Sequence, residues 1–404
     1  FNWEGGPFEG WDAIGVEESV ARMKKEGKAI PPLVEKLLKK KYQTFYQKKN
    51  GKLYFFDLKT GRYKKAPENP RIILLPSLKE RQKVVKSNAG ASLIDLGDGV
   101  ACLEFHTFMN AIGQEIIEMI HESLKIVEKD FAGMVIGNHA ERFSVGANLL
   151  MLVGEIMKSN WAGIEAAIKA IQDAMMAMKF FEKPIVAAPH GMALGGGCEV
   201  CLSSHRIVAA LETYMGQVEM GVGLLPGAAG NKEVYIRCIE GIPDGVNVDL
   251  MPFLRKAFKN IAMVKVGTSA EECRKLGFLR PTDRVIPNAD HLLYEAKQTV
   301  LAMVQDGFKP PRPRLVPVAG DGGRAAIKYM ANTMRMGGYI SEYDEYIVGK
   351  LAYILTGGDV LSGALVTEQH LLDLEREAFV SLCGEKKTQD RIGHMLKTNK
   401  PLRN

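Results

Sequence analysis

The chain has 404 residues, 46% apolar and 25% charged, which fits a folded globular protein of two or three domains and excludes a disordered or fibrous one. No apolar run approaches the roughly 18 residues of a membrane span, so no membrane insertion is expected. Six cysteines in this length make no disulfide framework, which points to a reducing, cytoplasmic setting, and the net charge of +6 leaves the partner open.

Residue 1 is Phe rather than Met, which reads as a fragment or a processed chain. Residues 1–41 read as helices: Glu17–Glu26 stops at Gly27, and Pro31-Pro32 opens Leu33–Lys40 with Leu33, Val34, Leu37 and Leu38 on one face. Residues 42–65 read as a β-meander, with turns at Asn50-Gly51 and Lys59-Thr60-Gly61 around Leu53-Tyr54-Phe55-Phe56. Residues 66–91, with Pro67, Pro70 and Pro76, read as a linker. The charge is concentrated here: residues 1–86 carry 20 Lys/Arg against 10 Asp/Glu, +10, so the remainder carries −4. No nucleic-acid motif accompanies this excess, which reads as a solvated lysine surface, and no nucleic-acid partner is expected.

From residue 92 strands and helices alternate, the pattern of an α/β domain. Ser92–Leu96 and Val100–Phe105 read as strands, Asn110–Val127 as an amphipathic helix, Met134–Ile136 as a buried strand and Trp161–Phe180 as a helix. Leu149, Leu150, Met151 and Leu152 suit either an acyl pocket or the core. Pro184–Ala188 and Arg206–Ala209 read as further strands. Gly307–Gly323 reads as a connector, followed by helices near 324–336, 340–356, 367–382 and 387–397.

Three glycine-rich segments each follow an extended stretch: Phe143-Ser144-Val145-Gly146-Ala147-Asn148, Gly195-Gly196-Gly197-Cys198-Glu199, and the run from Glu219 through Leu225, Pro226 and Gly227 to Gly230. Glycines at a strand-to-helix junction bare the backbone, so its N–H groups can face an anion. Glu199 and Glu219 add carboxylates, so the set suits a reaction that forms an oxyanion and moves a proton. Cys198 and Cys201 form a CxxC with no second pair or histidine to complete a metal site, and no metal is expected. Gly221-Val222-Gly223 is a poor dinucleotide fingerprint, with Pro226 where the third glycine belongs. His190, alone before the glycine run, reads as structural.

The FSxGAN, LGGGCE and QxExGxGxxPGAxG patterns, in this order and spacing, resemble the crotonase (enoyl-CoA hydratase/isomerase) superfamily over residues 92–404. Thr268–Leu279 is similar to a later helix of that family. Gly6–Gly15 resembles the C-terminal helical domain of 3-hydroxyacyl-CoA dehydrogenases, so the chain looks like the C-terminal part of a bifunctional protein without its NAD-binding domain. The resemblance implies an α/β fold: a crotonase-type spiral of ββα units with C-terminal helices, preceded by a helical and β remnant of the dehydrogenase. It divides the chain into residues 1–65, a linker 66–91, a crotonase core 92–306 and a C-terminal helical region 307–404.

The resemblance also implies roles. The backbone N–H groups of Ala147 and Gly196 form an oxyanion hole, and Glu199 and Glu219 move protons as a pair. Ser144, Gly146, Asn148, Gly195, Gly197, Leu225, Pro226 and Gly227 line the substrate site. The implied activity is hydration of trans-2-enoyl-CoA to 3-hydroxyacyl-CoA in fatty-acid β-oxidation. The alternatives are an enoyl-CoA isomerase or a non-catalytic CoA-binding or oligomerisation module. No cofactor is expected on this chain, NAD belonging to the dehydrogenase part, and a homo-oligomer is expected. The sequence departs from the family at Phe108-Met109, where relatives often carry a basic residue, and at Asn148, where they often carry aspartate.

Overall fold

The computed structural model describes residues 5–243 and 245–404, so the first four residues of the expected N-terminal helices lie outside it. The chain divides into two compact units, Phe1–Lys83 and Val84–Asn404.

The first unit holds α1 (Pro7–Ile14), α2 (Val16–Lys25), α3 (Pro32–Lys39), the antiparallel meander β1 (Tyr46–Lys49), β2 (Lys52–Asp57) and β3 (Arg62–Lys65), and α4 (Leu75–Glu80). Its core is Val16, Val20, Val34, Leu37, Phe45 and Phe56. Asp12 ties helix to sheet by accepting from the Phe45 and Tyr46 amides at 2.7 and 2.8 Å.

The second unit begins with β4 (Val84–Ser87), β5 (Ala91–Asp95), β6 (Val100–Phe105), α5 (Gln114–Asp130), β7 (Gly133–Ile136), α6 (Leu149–Met157) and α7 (Trp161–Lys179). It continues with β8 (Ile185–Ala187), β9 (Gly191–Leu194), α8 (Gly196–Leu202), β10 (Arg206–Ala210), β11 (Thr213–Gly216), α9 (Gly230–Ile239), α10 (Met251–Ala262), β12 (Val266–Gly267), α11 (Ala270–Leu276), β13 (Arg284–Ile286) and α12 (Leu292–Gln305). The last part is β14 (Leu315–Pro317), α13 (Gly320–Met336), α14 (Glu342–Leu355), β15 (Leu365–Thr367), α15 (Glu368–Cys383) and α16 (Lys386–Thr398).

Seven strands form the main sheet in the order β13-β10-β8-β7-β6-β5-β4, parallel from β13 to β6 and antiparallel from β6 to β4. Its central strands are apolar throughout, as a parallel sheet covered on both faces requires. A smaller sheet, β12-β11-β9, lies in a second layer. The chain therefore repeats one motif: a strand in the large sheet, a strand in the small sheet, then a helix, as in β8-β9-α8 and β10-β11-α9. The segment around Ser144 joins the small layer through a parallel bridge to Ala193 and, at Ala147, a second bridge to Ile112. This spiral of ββα units is the expected α/β fold.

Three local readings change. Residues 66–91 are not a bare linker: Pro76 sits in the first turn of α4, where a proline costs no hydrogen bond, and Val84–Ser87 pairs with β5. The helix expected from Asn110 starts at Gln114, because Met109 and Asn110 have φ of +56° and +52° and Ile112 is used to pair with Ala147. The Gly307–Gly323 connector contains β14, which pairs with β15, and the first turn of α13.

Candidate functional site

The Ala147 amide is freed by the way its segment pairs. In the bridge, Ile112 donates to the Gly146 carbonyl at 2.8 Å and accepts from the Asn148 amide at 3.2 Å. Those two bonds use the residues on either side and turn the Ala147 N–H the other way. On the opposite flank the Ser144 amide donates to Met192 and the Leu194 amide donates to Ser144, both at 3.0 Å. Gly196 opens α8, so its amide has no residue one turn back to bond within the helix. Among the described residues neither the Ala147 nor the Gly196 amide donates a hydrogen bond. A methyl group placed on Gly196 would lie 3.5 Å from the Ala147 nitrogen, so the two donors border one small space.

Two glycines are demanded by that space. Gly146 has φ +94°, and a Cβ there would come within 2.8 Å of the Gly196 nitrogen. Gly195 has φ +54° and ψ −125°, backbone that L-residues rarely adopt, and a Cβ there would meet the Glu219 carboxylate at 2.9 Å. Glu219 is thereby placed on the residue that caps α8, the helix that carries Glu199.

Glu199 is buried, and its Oε1 accepts from the amides of Ala228 and Gly230 at 2.8 and 2.7 Å. Its Oε2 accepts none among the described residues. Burial pushes the Glu199 carboxyl well above the usual carboxylate range, and the charges of Glu219 and Glu375 push the same way. Burial likewise pushes Glu219 up to about 7, although amides at Val218 and Glu219 pull against it. Glu219 is half-buried as a residue, but its Oε2 is enclosed and has no partner among the described residues. Two carboxyls whose hold on a proton is strengthened, beside two unpaired amides, can take a proton from one atom and give one to another.

The other expected residues fall into two groups. Gly195, Gly196 and Gly146 shape the donor space directly. Asn148 caps α6, its Oδ1 accepting from the Leu150 and Met151 amides at 3.2 and 3.4 Å, a role that aspartate fills equally well. Ser144 is fully buried and donates to the Asn110 carbonyl at 2.7 Å, a bond that fixes the loop. Gly197 is buried against Ser144, and Leu225, Pro226 and Gly227 are buried in the turn before α9, behind Glu199. Leu150 and Met151 are exposed and not core. His190 donates from Nε2 to the Ala140 carbonyl at 2.7 Å, as a structural histidine does. The Cys198 and Cys201 thiols are buried and raised by that burial, which makes them inert. Among the described residues no group of three or more His, Cys, Asp or Glu is placed to hold a metal.

Two residues were not assigned from sequence. Gln217 is buried with neither end of its amide paired among the described residues, and its Nε2 and Glu199 Oε1 crowd the same side of Gly230, each under 3 Å from where a Cβ would sit. It lies inside the third glycine motif but reads there as an ordinary polar residue. Glu375, on α15, is fully buried and accepts from the Ala229 and Asn231 amides at 2.6 and 3.0 Å. It is 156 positions beyond Glu219, and nothing local marks it.

Residues 95–240 match the enoyl-CoA hydratase/isomerase family. The chain is 30% identical over 180 residues to the probable enoyl-CoA hydratase of Bacillus subtilis, covering 43% of this chain and 67% of that protein. The chain belongs to the enoyl-CoA hydratase/isomerase family. It is also 48% identical over 404 residues to the probable 3-hydroxyacyl-CoA dehydrogenase of Bacillus subtilis, covering all of this chain and 50% of that protein. A putative fatty acid oxidation complex trifunctional enzyme from Rickettsia prowazekii is 29% identical over 246 residues, 59% of this chain and 30% of its own length. The chain thus spans half of the first of these two long relatives and less of the second. The crystal structure of enoyl-CoA hydratase from Bacillus halodurans shares the fold, with a TM-score of 0.52 at 16% identity over 76% of this chain and 99% of that one. In this enoyl-CoA hydratase/isomerase family member, residues 95–240 contain both glutamates and both free amides.

Proposed function

We propose that this chain hydrates trans-2-enoyl-CoA thioesters to 3-hydroxyacyl-CoA, as the hydratase part of a longer protein that also carries 3-hydroxyacyl-CoA dehydrogenase activity in fatty-acid oxidation. The observation that carries the reading is the juxtaposition of two enclosed glutamates with two unpaired amides. The thioester oxygen, which gains charge as water adds at the β-carbon, accepts from Ala147 and Gly196. One glutamate takes the proton from water as its oxygen bonds to C3. The other gives a proton to C2, and the C2–C3 π bond supplies the electrons. Glu199 and Glu219 share these roles.

An isomerase needs one proton-shuttling carboxylate, whereas this site encloses two. The match over half the length of a probable 3-hydroxyacyl-CoA dehydrogenase supports a link between the two activities, with NAD assigned to the dehydrogenase part. The six free cysteines support a reducing, cytoplasmic setting, and among the described residues no helix is long and apolar enough to cross a membrane. We also propose a homo-oligomer. The test is hydration of crotonyl-CoA, read by loss of the conjugated thioester absorbance. Turnover supports the proposal; acyl-CoA binding without turnover overturns it.

A further inference from the structure

The turn into α9 offers four successive amides, and they divide between two carboxylates. Ala228 and Gly230 donate to Glu199; Ala229 and Asn231 donate to Glu375. Alternate N–H groups of the segment point to opposite sides, so one carboxylate holds each side. The grip of Glu375 is reinforced by Asn231, whose Nδ2 donates both to Glu375 Oε2 at 2.9 Å and to the Pro226 carbonyl at 2.8 Å, closing the loop on itself. Ala229 sits at φ +84°, an uncommon conformation for a residue with a Cβ, and Glu375 holds its amide at 2.6 Å.

We propose that Glu375 is a positioning residue for the reaction: it fixes the turn through which Glu199 is held and is the third carboxyl of the cluster. The inference rests on the hydratase reading above. Glu375 touches none of the reacting atoms and acts through Glu199.

Its surroundings make the charge matter. Across the turn it faces Glu199 and Glu219, and burial lifts Glu375 up to about 7. From α7, Gln172 donates at 3.5 Å; from α9, Lys232 is the cation that opposes the lift. Several of the charged groups around α15 have partners of their own. Lys179, Lys232, Glu233 and Glu368 form a buried quartet, Glu165 pairs with Arg376, Lys350 donates to Ser381, and Arg391 of α16 pairs with Asp344. An ionised Glu375 opposes ionisation of Glu199, so removing it lets Glu199 ionise at lower pH.

The test compares Glu375→Gln and Glu375→Ala with the parent chain. Crotonyl-CoA hydration is followed across pH, with thermal melts on the same samples and infrared titration of the buried carboxyls. The Glu199 band is assigned by its loss in Glu199→Gln. The glutamine keeps the volume and one acceptor, so the readout survives if the alanine variant does not fold. The expected result is a kcat lowered on the order of 10²-fold with KM held within about twofold, and an acid limb moved about one unit down in pH. Unchanged kcat and pH profile would overturn the inference, as would a loss confined to KM or to melting temperature. If the parent does not hydrate, the hydratase reading fails by itself. The infrared titration then decides: a Glu199 band that moves down in pH in Glu375→Gln supports the coupling, and one that stays put refutes it.

Discussion

At the scale of single residues, the site depends on two atoms that the fold leaves unpaired and two carboxyls that it shuts away. The Ala147 amide is free because its neighbours carry the bridge to Ile112, and the Gly196 amide because it starts a helix. A side chain at position 146 would press on the second donor. Gly146→Ala should therefore lower kcat roughly 10²–10³-fold, the range for losing one oxyanion donor, with a smaller change in KM; steady-state kinetics check it. The carboxyls bear on pH. Glu219 is at about 7 when folded against 4.5 as its reference, so the folded state binds more protons than the unfolded one between those values. Its ionisation therefore costs the folded state stability as pH rises from 4.5 through about 7, and the loss is complete above that. Glu219→Gln, which mimics the protonated form, should melt with the parent near pH 4.5 and above it at alkaline pH. Equal melting temperatures across the whole range would contradict the enclosure of that carboxyl.

At the scale of elements, α9 and α15 are joined by buried charge. Lys179 and Lys232 each reach both Glu233 and Glu368, so two cations face two anions with almost no water. Lys232→Met leaves two carboxylates to one lysine and should cost about 3–5 kcal/mol, measured by denaturant unfolding. The helices themselves were legible in sequence: the stripe of Ile164, Ile168, Ile171, Met175 and Met178 gives α7, and the C-terminal helices begin and end within a few residues of their expected bounds. The start of α5 was not, because Ile112 fits a helical stripe and is diverted only by a tertiary bridge to Ala147. The glycine motifs mark the candidate site in the sequence, since close backbone approach leaves a local mark. Gln217 and Glu375 leave none: a buried amide and a glutamate far along a helix look polar and ordinary until the packing is known. Ser144 is a motif residue whose hydroxyl bonds within the loop.

At the scale of the whole chain, the second unit has its own core and holds every residue of the site. Residues 84–404 alone should hydrate crotonyl-CoA, whereas a chain cut at 92 loses β4, bares the edge of β5 and should unfold more easily or aggregate. Size-exclusion chromatography and melting of the two fragments check this. The paired glutamates within that unit are open to a single assay. Hydration of crotonyl-CoA is followed for the parent, Glu199→Gln and Glu219→Gln. The parent should turn over, and each variant should lose on the order of 10²–10⁴-fold in kcat with KM little changed. A parent that turns over while either variant keeps its full rate would contradict the two-glutamate mechanism.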